Sequence, residues 1–303
     1  MGAHGRPLSG DRRLTGRVAI VTGAGRGIGR GIALAFSDAG AQVVAASRSL
    51  PEVEETAAMG STRNGRPMLA LAVDVSDWQA VQELAARTIR EFGAIHILVN
   101  NAGVLGPIGP LVENSAAEWA RTIQINLVGT FYCCKAVLPQ MMQQRYGKII
   151  NLSGGGASAA RPHFSAYAAS KAAVVRLTET LAEEGREYNV HVNAIAPGAV
   201  NTHMLDQVLR AGPVAGERAV AEARRQLETG GFSADLAASL AVFLASDDSN
   251  GLSGKLIAAP HDSWQTWNTN RIAEVMAAPW FTLRRIDPFT LSAFKAGPGG
   301  TVG

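Results

Sequence analysis

The sequence predicts an α/β fold in which helices cover both faces of a parallel sheet. Seven short apolar runs alternate with longer stretches of helical periodicity, and strands that alternate with helices form parallel sheets. The runs are almost continuously apolar, as expected for strands that are buried on both faces. With 303 residues and 47% hydrophobic content, the chain is long enough for one large domain with a full core.

The predicted strands are, in chain order, RVAIV, QVVAA, MLALAV, IHILVN, KIINLS, VHVNAIA and KLIAA. The helices predicted between them include GIGRGIALAFSDAG, DWQAVQELAARTIREFG, EWARTIQINLVGTFYCCKAVLPQMMQQR and SAYAASKAAVVRLTETLAEEGREY, each with apolar residues at three- and four-residue spacing. Asn126 is unusual within the third of these helices, because its amide competes with the helical backbone for hydrogen bonds. We expect a helix distortion or a bound water at this position.

A glycine cluster, TGAGRGIG, joins the first strand to the first helix. Gly23, Gly27 and Gly29 flank a loop that contains Gly25 and Arg26. A tight turn would also use glycines, but at this position they let backbone N–H groups approach a pyrophosphate at the positive helix N-terminus. The position therefore favours a nucleotide-binding loop.

A second pattern lies in SAYAASKAAVV, where Tyr167 and Lys171 stand four residues apart on one helical face. An ammonium beside a phenol favours the phenolate and lowers its pKa, so Tyr167 is a candidate general acid or base. A surface tyrosine with an extended lysine is the alternative. Ser153 ends the fifth strand, at the carboxyl edge where ligands of doubly wound folds bind, although a serine at a strand end is often only structural.

Together these motifs resemble the short-chain dehydrogenase/reductase family over about residues 15 to 260. The resemblance is carried, in chain order, by TGAGRGIG, Asp74, NNAG at 100–103, Asn126, Ser153, YAASK and PGAVNT at 197–202. It implies a single Rossmann domain with a seven-stranded parallel sheet, and hydride transfer between a nicotinamide and an alcohol or carbonyl carbon.

The resemblance also implies roles for individual residues. Tyr167 would be the acid/base, and Lys171 would bind the nicotinamide ribose and lower the pKa of Tyr167. Ser153 would hydrogen-bond the substrate oxygen, and Asn126 would hold a water that links Lys171 to solvent. The implied cofactor-binding positions, besides Tyr167 and Lys171, are Gly23, Arg26, Gly27, Ile28, Gly29, Ser47, Arg48, Asp74, Val75, Asn101, Ala102, Gly103, Pro197, Gly198, Val200 and Thr202.

The residues after the second strand indicate NADP(H). An acidic residue there pairs with the ribose of NAD, whereas an arginine accommodates the extra phosphate of NADP. Ser47 stands where the acid would be, Arg48 follows, Arg26 is available from the glycine loop, and we see nothing acidic nearby in sequence. A solvated Arg48 and NAD(H) are the alternatives; NADP(H) implies reduction in the cell.

The expected substrate is a small carbonyl or alcohol compound. Phe164 and Met204 would make the pocket wall apolar, which favours a neutral or mostly apolar ketone or aldehyde. The family implies a homo-oligomer, a tetramer or a dimer. The alternatives are an NAD-dependent alcohol dehydrogenase of the same family and a catalytically idle nucleotide-sensing or scaffold protein.

Three segments are predicted: a flexible arm at 1–16, the single domain at 17–260 and a C-terminal extension at 261–303. The extension carries Trp264, Trp267, Trp280, Phe281, Phe289 and Phe294, and disordered tails are poor in aromatics. We expect order from about 260 to 294, one short helix in TNRIAEVMAAPW stopped by Pro279, and packing near the substrate pocket of its own or a neighbouring subunit.

Composition excludes other classes. The formal charge of +3 is spread along the chain, which gives no footprint for nucleic acid or an anionic membrane. Cys133 and Cys134 are adjacent and offer neither a disulfide framework nor metal-ligand spacing. We therefore predict no metal, no membrane span and a cytoplasmic location.

Overall fold

The structure is a computed structural model that describes residues 12–287. Its strands are β1 (Val18–Thr22), β2 (Gln42–Ser47), β3 (Leu69–Ala72), β4 (Ile97–Asn100), β5 (Gly147–Leu152), β6 (Val190–Ala196) and β7 (Leu256–Ala258). Its α-helices are α1 (Gly27–Asp38), α2 (Leu50–Asn64), α3 (Trp78–Phe92), α4 (Ala116–Ile123), α5 (Gly129–Gln143), α6 (Ser165–Gly185), α7 (His203–Ala211), α8 (Glu217–Thr229), α9 (Ala234–Ala245) and α10 (Thr269–Ala277).

The strands form one parallel sheet in the order β3-β2-β1-β4-β5-β6-β7. Each of the seven apolar runs is a strand, so the predicted doubly wound Rossmann sheet is confirmed. The chain winds outward from β1 in one direction and from β4 in the other. A crevice therefore opens between the carboxyl ends of β1 and β4, where such folds bind ligands.

Helices cover both faces of the sheet, and each face has its own apolar cluster. On one face α1 and α9 contribute Ile32, Phe36 and Leu240. On the other face α3 and α5 contribute Val81 and Val137. Burial on both faces explains why the strands are apolar at successive positions.

The predicted distortion at Asn126 is a π-helical turn over Gln124–Val128 that joins α4 to α5. Asn126 is fully buried, and its side-chain amide pairs with the main chain of Val104: Oδ1 accepts from the Val104 N–H at 2.8 Å and Nδ2 donates to the Val104 oxygen at 2.9 Å. The bulge turns the amide out of the helix and towards the loop after β4.

The flexible arm predicted for 1–16 is too long. Leu14 is fully buried in the α1 and α9 cluster, and its N–H donates to the Ala39 oxygen at 2.9 Å. Residues 12–16 therefore belong to the fold, and residues 1–11 lie outside the described chain.

The extension is ordered as far as it is described. Trp264 and Trp267 are buried in the same cluster as α1 and α9, and α10 is the predicted short helix, ending two residues before Pro279. The N–H of Leu256 on edge strand β7 donates to the Phe281 oxygen at 2.7 Å. The extension therefore covers a sheet edge that would otherwise be free to pair.

The extension contacts β7 through Phe281, and its first residue, His261, packs edge-on against the Phe232 ring at 5.5 Å. Leu283 packs against a small cluster that includes Ala157, in the loop that follows Ser153, so the extension comes near the site at this point. Packing against a neighbouring subunit stays a prediction, and Phe289 and Phe294 lie outside the described chain.

Cys133 and Cys134 are buried free thiols. Burial raises the pKa of Cys134 to about 12, so it is inert as a nucleophile at neutral pH. None of the helices in residues 12–287 has the length and hydropathy to cross a membrane.

Candidate active site

The glycine loop between β1 and α1 is closely packed. A Cβ on Gly23 would lie 2.7 Å from Asn101 Nδ2, and one on Gly29 would collide with the Gly23 oxygen. Gly23 and Gly27 also have positive φ angles of 65° and 55°, which other residues rarely adopt. The loop therefore requires glycine at these positions.

Hydrogen bonds to Thr22 connect the loop after β4 to the glycine loop. No role was predicted for Thr22 from the sequence. Thr22 Oγ1 accepts from the N–H groups of Asn101 and Ala102 at 3.1 and 3.2 Å. Asn101 Nδ2 in turn donates to the oxygens of Thr22 and Gly23 at 3.0 and 3.1 Å. These bonds hold Asn101, Ala102 and Gly103 along one wall of the crevice.

A carboxylate, that of Glu52, lies near the end of β2, where the sequence predicts no acidic group. Glu52, in the first turn of α2, has Oε2 only 2.8 Å from where a Cβ on Gly25 would lie, and Ser47 Oγ is 3.1 Å from the same point. Glu52 also lies 3.8 Å from an Arg26 nitrogen. The expectation of nothing acidic near the predicted 2′-phosphate site is therefore wrong.

Arg48, the residue after β2, is exposed, and its positive charge acts on Asp74. Burial opposes ionisation of Asp74, but hydrogen bonds from Ser76 and the charges of Arg48 and Arg121 outweigh it and lower its pKa. Val75, next in the chain, is buried against Gly129 of α5. Asp74 and Val75 thus border the crevice on the β3 side.

Tyr167 packs against Gly154, the residue after Ser153: a Cβ on Gly154 would collide with the Tyr167 oxygen. Ser153 is 3% exposed, and its Oγ is a buried polar atom without a hydrogen-bond partner among the described residues. A buried hydroxyl without a partner is costly, so this atom is available to bind a ligand oxygen.

Lys171 is buried one helical turn after Tyr167, with Nζ donating to the Leu152 oxygen at 2.7 Å. A Cβ on Gly103 would lie 3.5 Å from Lys171 Nζ and 3.2 Å from Asn126 Oδ1. The two polar groups therefore flank the same glycine. Asn126 also donates to Ser170 Oγ at 3.0 Å, which fixes it to the Tyr167 helix.

Burial and charge set the titration of these groups. Burial raises the pKa of Tyr167, and the nearby charge of Arg161 opposes the rise. Lys171 Nζ lies 5.7 Å from the centre of the Tyr167 ring, close to the 5.6 Å of the Arg161 guanidinium, and its predicted effect on the pKa of Tyr167 stays a prediction. Burial lowers the pKa of Lys171 to about 8, so its ammonium can exchange protons near neutral pH.

The loop after β6 closes the remaining side. Gly198 has a φ of 82°, and a Cβ there would lie 2.8 Å from Pro260. Thr202 precedes α7, with its methyl group 3.6 Å from where a Cβ on Gly27 would lie. The segment that carries Pro197, Val200 and Thr202 thus runs from the end of β6 to the glycine loop. Helices α7 and α8 follow it in the chain.

The crevice fits a dinucleotide. The first turn of α1 has neither a capping side chain nor an acidic residue, so its N–H groups and positive dipole are open to an anion. The closely packed glycines bring the backbone to that anion, and the unpartnered Ser153 Oγ lies at the opposite end. Ile28 lies just inside α1 and packs on the core. In the described residues no group of His, Cys, Asp and Glu could hold a metal ion.

Comparisons with known proteins agree with this geometry. The family model described as short chain dehydrogenase matches residues 17–211. Over 245 residues the chain is 39% identical to oxidoreductase UcpA of Salmonella typhimurium, covering 80% of this chain and 92% of UcpA. It is also 39% identical over 247 residues to D-threitol dehydrogenase of Mycolicibacterium smegmatis, covering 80% and 91%.

Solved structures extend the likeness to the fold. NAD+-bound xylitol dehydrogenase superposes with a TM-score of 0.76 at 30% identity, covering 81% of this chain and 98% of that one. Levodione reductase gives the same TM-score at 31% identity, covering 84% and 98%.

Proposed function

The chain belongs to the short chain dehydrogenase family and is an oxidoreductase of alcohol and carbonyl groups, and from that premise we propose that it is an NADP(H)-dependent carbonyl reductase with Tyr167 as the general acid. The observation that carries the proposal is the buried, unpartnered Ser153 Oγ, with the Tyr167 hydroxyl packed against the next residue in the chain, Gly154. One hydroxyl would hold the substrate oxygen and the other would give it a proton.

The nicotinamide, when bound, supplies the hydride that reduces the carbonyl carbon, or takes it back from an alcohol. Ser153 Oγ donates a hydrogen bond to the substrate oxygen and fixes its position. Tyr167 gives its proton to that oxygen, which becomes the alcohol hydroxyl. Because burial raises the pKa of Tyr167, the phenol is protonated at neutral pH, as a general acid for reduction must be.

Lys171 and Asn126 return a proton to Tyr167 after it has protonated the substrate. Lys171 Nζ would bind the nicotinamide ribose and restore the proton that Tyr167 gives up, since a pKa of about 8 allows it to donate at neutral pH. Asn126, held by the π turn, faces Lys171 around Gly103 and would hold a water that connects this relay to solvent. Arg26 and Arg48 would bind the 2′-phosphate, and the loops after β3, β4 and β6 would hold the rest of the cofactor.

Turnover and cofactor binding test the proposal directly. We expect the purified protein to oxidise NADPH in the presence of members of a panel of ketones and aldehydes, and to bind NADPH in a fluorescence titration. NADPH binding without turnover on any carbonyl compound would favour a nucleotide-sensing role. A protein that neither binds nor oxidises NADPH would contradict the proposal.

The reaction should depend on pH in opposite ways in its two directions. Reduction needs a protonated Tyr167 and a protonated Lys171, and Lys171 has the lower pKa, about 8. We therefore expect kcat for ketone reduction to fall above about pH 8, while kcat for alcohol oxidation rises through the same range. Rates at saturating substrate in both directions measure this, and an oxidation rate that falls as the pH rises would contradict the relay.

NAD(H) is the second candidate cofactor, because of Glu52. A carboxylate beside the glycine loop can accept a hydrogen bond from a ribose hydroxyl, whereas it repels a phosphate dianion. A structural relative, xylitol dehydrogenase, was solved with NAD+ bound. The balance between Glu52 on one side and Arg26 and Arg48 on the other thus decides the cofactor.

We expect Glu52→Gln to lower KM for NADPH by about three- to tenfold, because like-charge repulsion at such a surface site amounts to roughly 1 kcal/mol. KM for NADH should rise or stay unchanged. Glu54→Gln, which removes an exposed carboxylate two residues along the same helix, is the matched control. If both variants change the two KM values alike, Glu52 has no role in cofactor choice.

The proposal includes a homo-oligomer, a tetramer or a dimer as the family implies, and a cytoplasmic location. Sedimentation velocity at micromolar protein concentration measures the oligomeric state. A monomer under those conditions would contradict it.

A further inference from the structure

Arg161 places a positive charge beside the proposed acid. It lies in the loop that joins Ser153 to Tyr167, and its guanidinium carbon is 4.3 Å from the ring centre of Phe164 and 5.6 Å from that of Tyr167. A nitrogen of the same group lies 3.3 Å from where a Cβ on Gly155 would be. The side chain is half-buried, so it is part of the wall of the site.

The guanidinium has no protein acceptor in the described part of the chain. No carboxylate of residues 12–287 lies within ion-pair distance of it, and no side-chain hydrogen bond leaves it. Arg30, by contrast, donates to the Gly25 oxygen and to Glu55, and Arg176 donates to the Leu283 oxygen. Phe164 stacks on the face of the Arg161 guanidinium, and its five N–H donors have no acceptor among residues 12–287.

The two rings beside this charge lie in an apolar cluster. Phe164 and Tyr167 belong to a cluster with Leu105, and α7 and α8 contribute Leu205, Val208 and Ala223 to it. His163, two residues from Arg161, has a positive φ of 68° and a buried Nδ1 without a partner in the described residues. Strained backbone and unsatisfied polar atoms concentrate where a loop is held for a ligand.

We propose that Arg161 binds a carboxylate of the substrate, so that the site takes oxo acids and returns hydroxy acids. This inference rests on the proposed function and names the substrate class for it. The planar fork of a guanidinium matches a carboxylate in two parallel hydrogen bonds. Because the fork lies beside the Tyr167 ring, the carboxylate is separated from the reacting carbonyl by only a few bonds. The neutral substrate favoured by the sequence is replaced by an anionic one.

Matched pairs of acid and ester test the proposal. The probes are pyruvate, acetoacetate and levulinate, each beside its methyl ester, which keeps the carbonyl and removes the charge. We expect the wild-type protein with NADPH to prefer at least one acid over its ester. Arg161→Gln should lower kcat/KM for that acid by about tenfold or more, as for the loss of a charge-assisted hydrogen bond, and change the ester by less than about threefold.

Two further variants separate the contact from general charge effects. Arg161→Lys keeps the charge without the fork, so we expect an intermediate loss on the acid. Arg224→Gln removes an exposed arginine of α8, next in the chain to Ala223 of the same apolar cluster, and should leave the acid-to-ester ratio unchanged. Binding of NADPH should be the same in all variants, since Arg161 is outside the cofactor loops.

A wild-type measurement covers the case in which Arg161→Gln does not fold. Propionate should inhibit ester reduction competitively, and propionamide should inhibit at least about tenfold less. Equal inhibition, or equal effects of Arg161→Gln on acid and ester in all three pairs, would overturn the inference and leave the proposed function standing. If the protein reduces no carbonyl compound with either cofactor, the proposed function fails and the inference fails with it.

Discussion

We expect Tyr167→Phe to lower kcat for ketone reduction by between about 10² and 10⁴-fold, the range that one positioned acid contributes, while Kd for NADPH changes by less than about threefold. The phenylalanine fills the same buried volume between Gly154 and Arg161 but has no proton to give. Ser153 still binds the substrate oxygen, so KM should change little.

The comparison with a second tyrosine makes this result specific. Tyr188, in the turn after α6, is 38% exposed, and Tyr188→Phe removes a hydroxyl from the opposite end of the same helix. Its kcat should equal that of the wild type. Activity of Tyr167→Phe within about tenfold of the wild type would show that another group supplies the proton.

The fold was predictable because its signals are local and repeated. Each strand is a short apolar run, and each helix that was predicted carries apolar residues at regular spacing, so the alternation alone gives a parallel sheet with two covered faces. The relation between Tyr167 and Lys171 was predictable for the same reason, since a four-residue spacing on a helix fixes which side chains share a face. The position of Ser153 followed from the end of its strand.

The charge environment was not predictable in the same way. Glu52 lies beside Gly25 because α2 begins directly after β2 and turns its first residues back over the glycine loop. Pro51 does signal a helix start, so the first turn could have been foreseen, but not its distance from Gly25. Arg161 sits in a loop without periodicity, and only the folded chain shows that it lies on Phe164 and Tyr167.

The predicted start of the folded domain was too late in the chain for a similar reason. A basic, polar segment is typical of a solvated arm, and Leu14 is one of only a few apolar residues within it. Its burial against α1 and α9 depends on the shape of a surface that distant parts of the chain create. The extension was predicted better, because several aromatic residues in one segment indicate burial whatever surface they meet.

The cofactor prediction can be tested by reversing the charge at the end of β2. We expect the double variant Ser47→Asp with Arg48→Gln to move the ratio of kcat/KM for NADPH to kcat/KM for NADH by about a hundredfold towards NADH. The lost guanidinium contact with a phosphate is a charge-assisted bond, worth roughly 1.5–3 kcal/mol. The new carboxylate would accept a hydrogen bond from the ribose hydroxyl of NADH and repel the phosphate of NADPH.

The size of the shift depends on which groups share the phosphate. Arg26 stays in the variant, but it lies 3.8 Å from Glu52, and a second carboxylate at position 47 would draw it further from the phosphate. Arg63→Gln, at the far end of α2 where the arginine pairs with Asp38 at 3.0 Å, removes the same charge without touching the predicted site and should leave the ratio unchanged. If the double variant keeps the wild-type ratio, Arg48 is a solvated residue, and the Ser47 position does not choose the cofactor. If the wild type already prefers NADH, Glu52 outweighs both arginines, and the double variant should then add little.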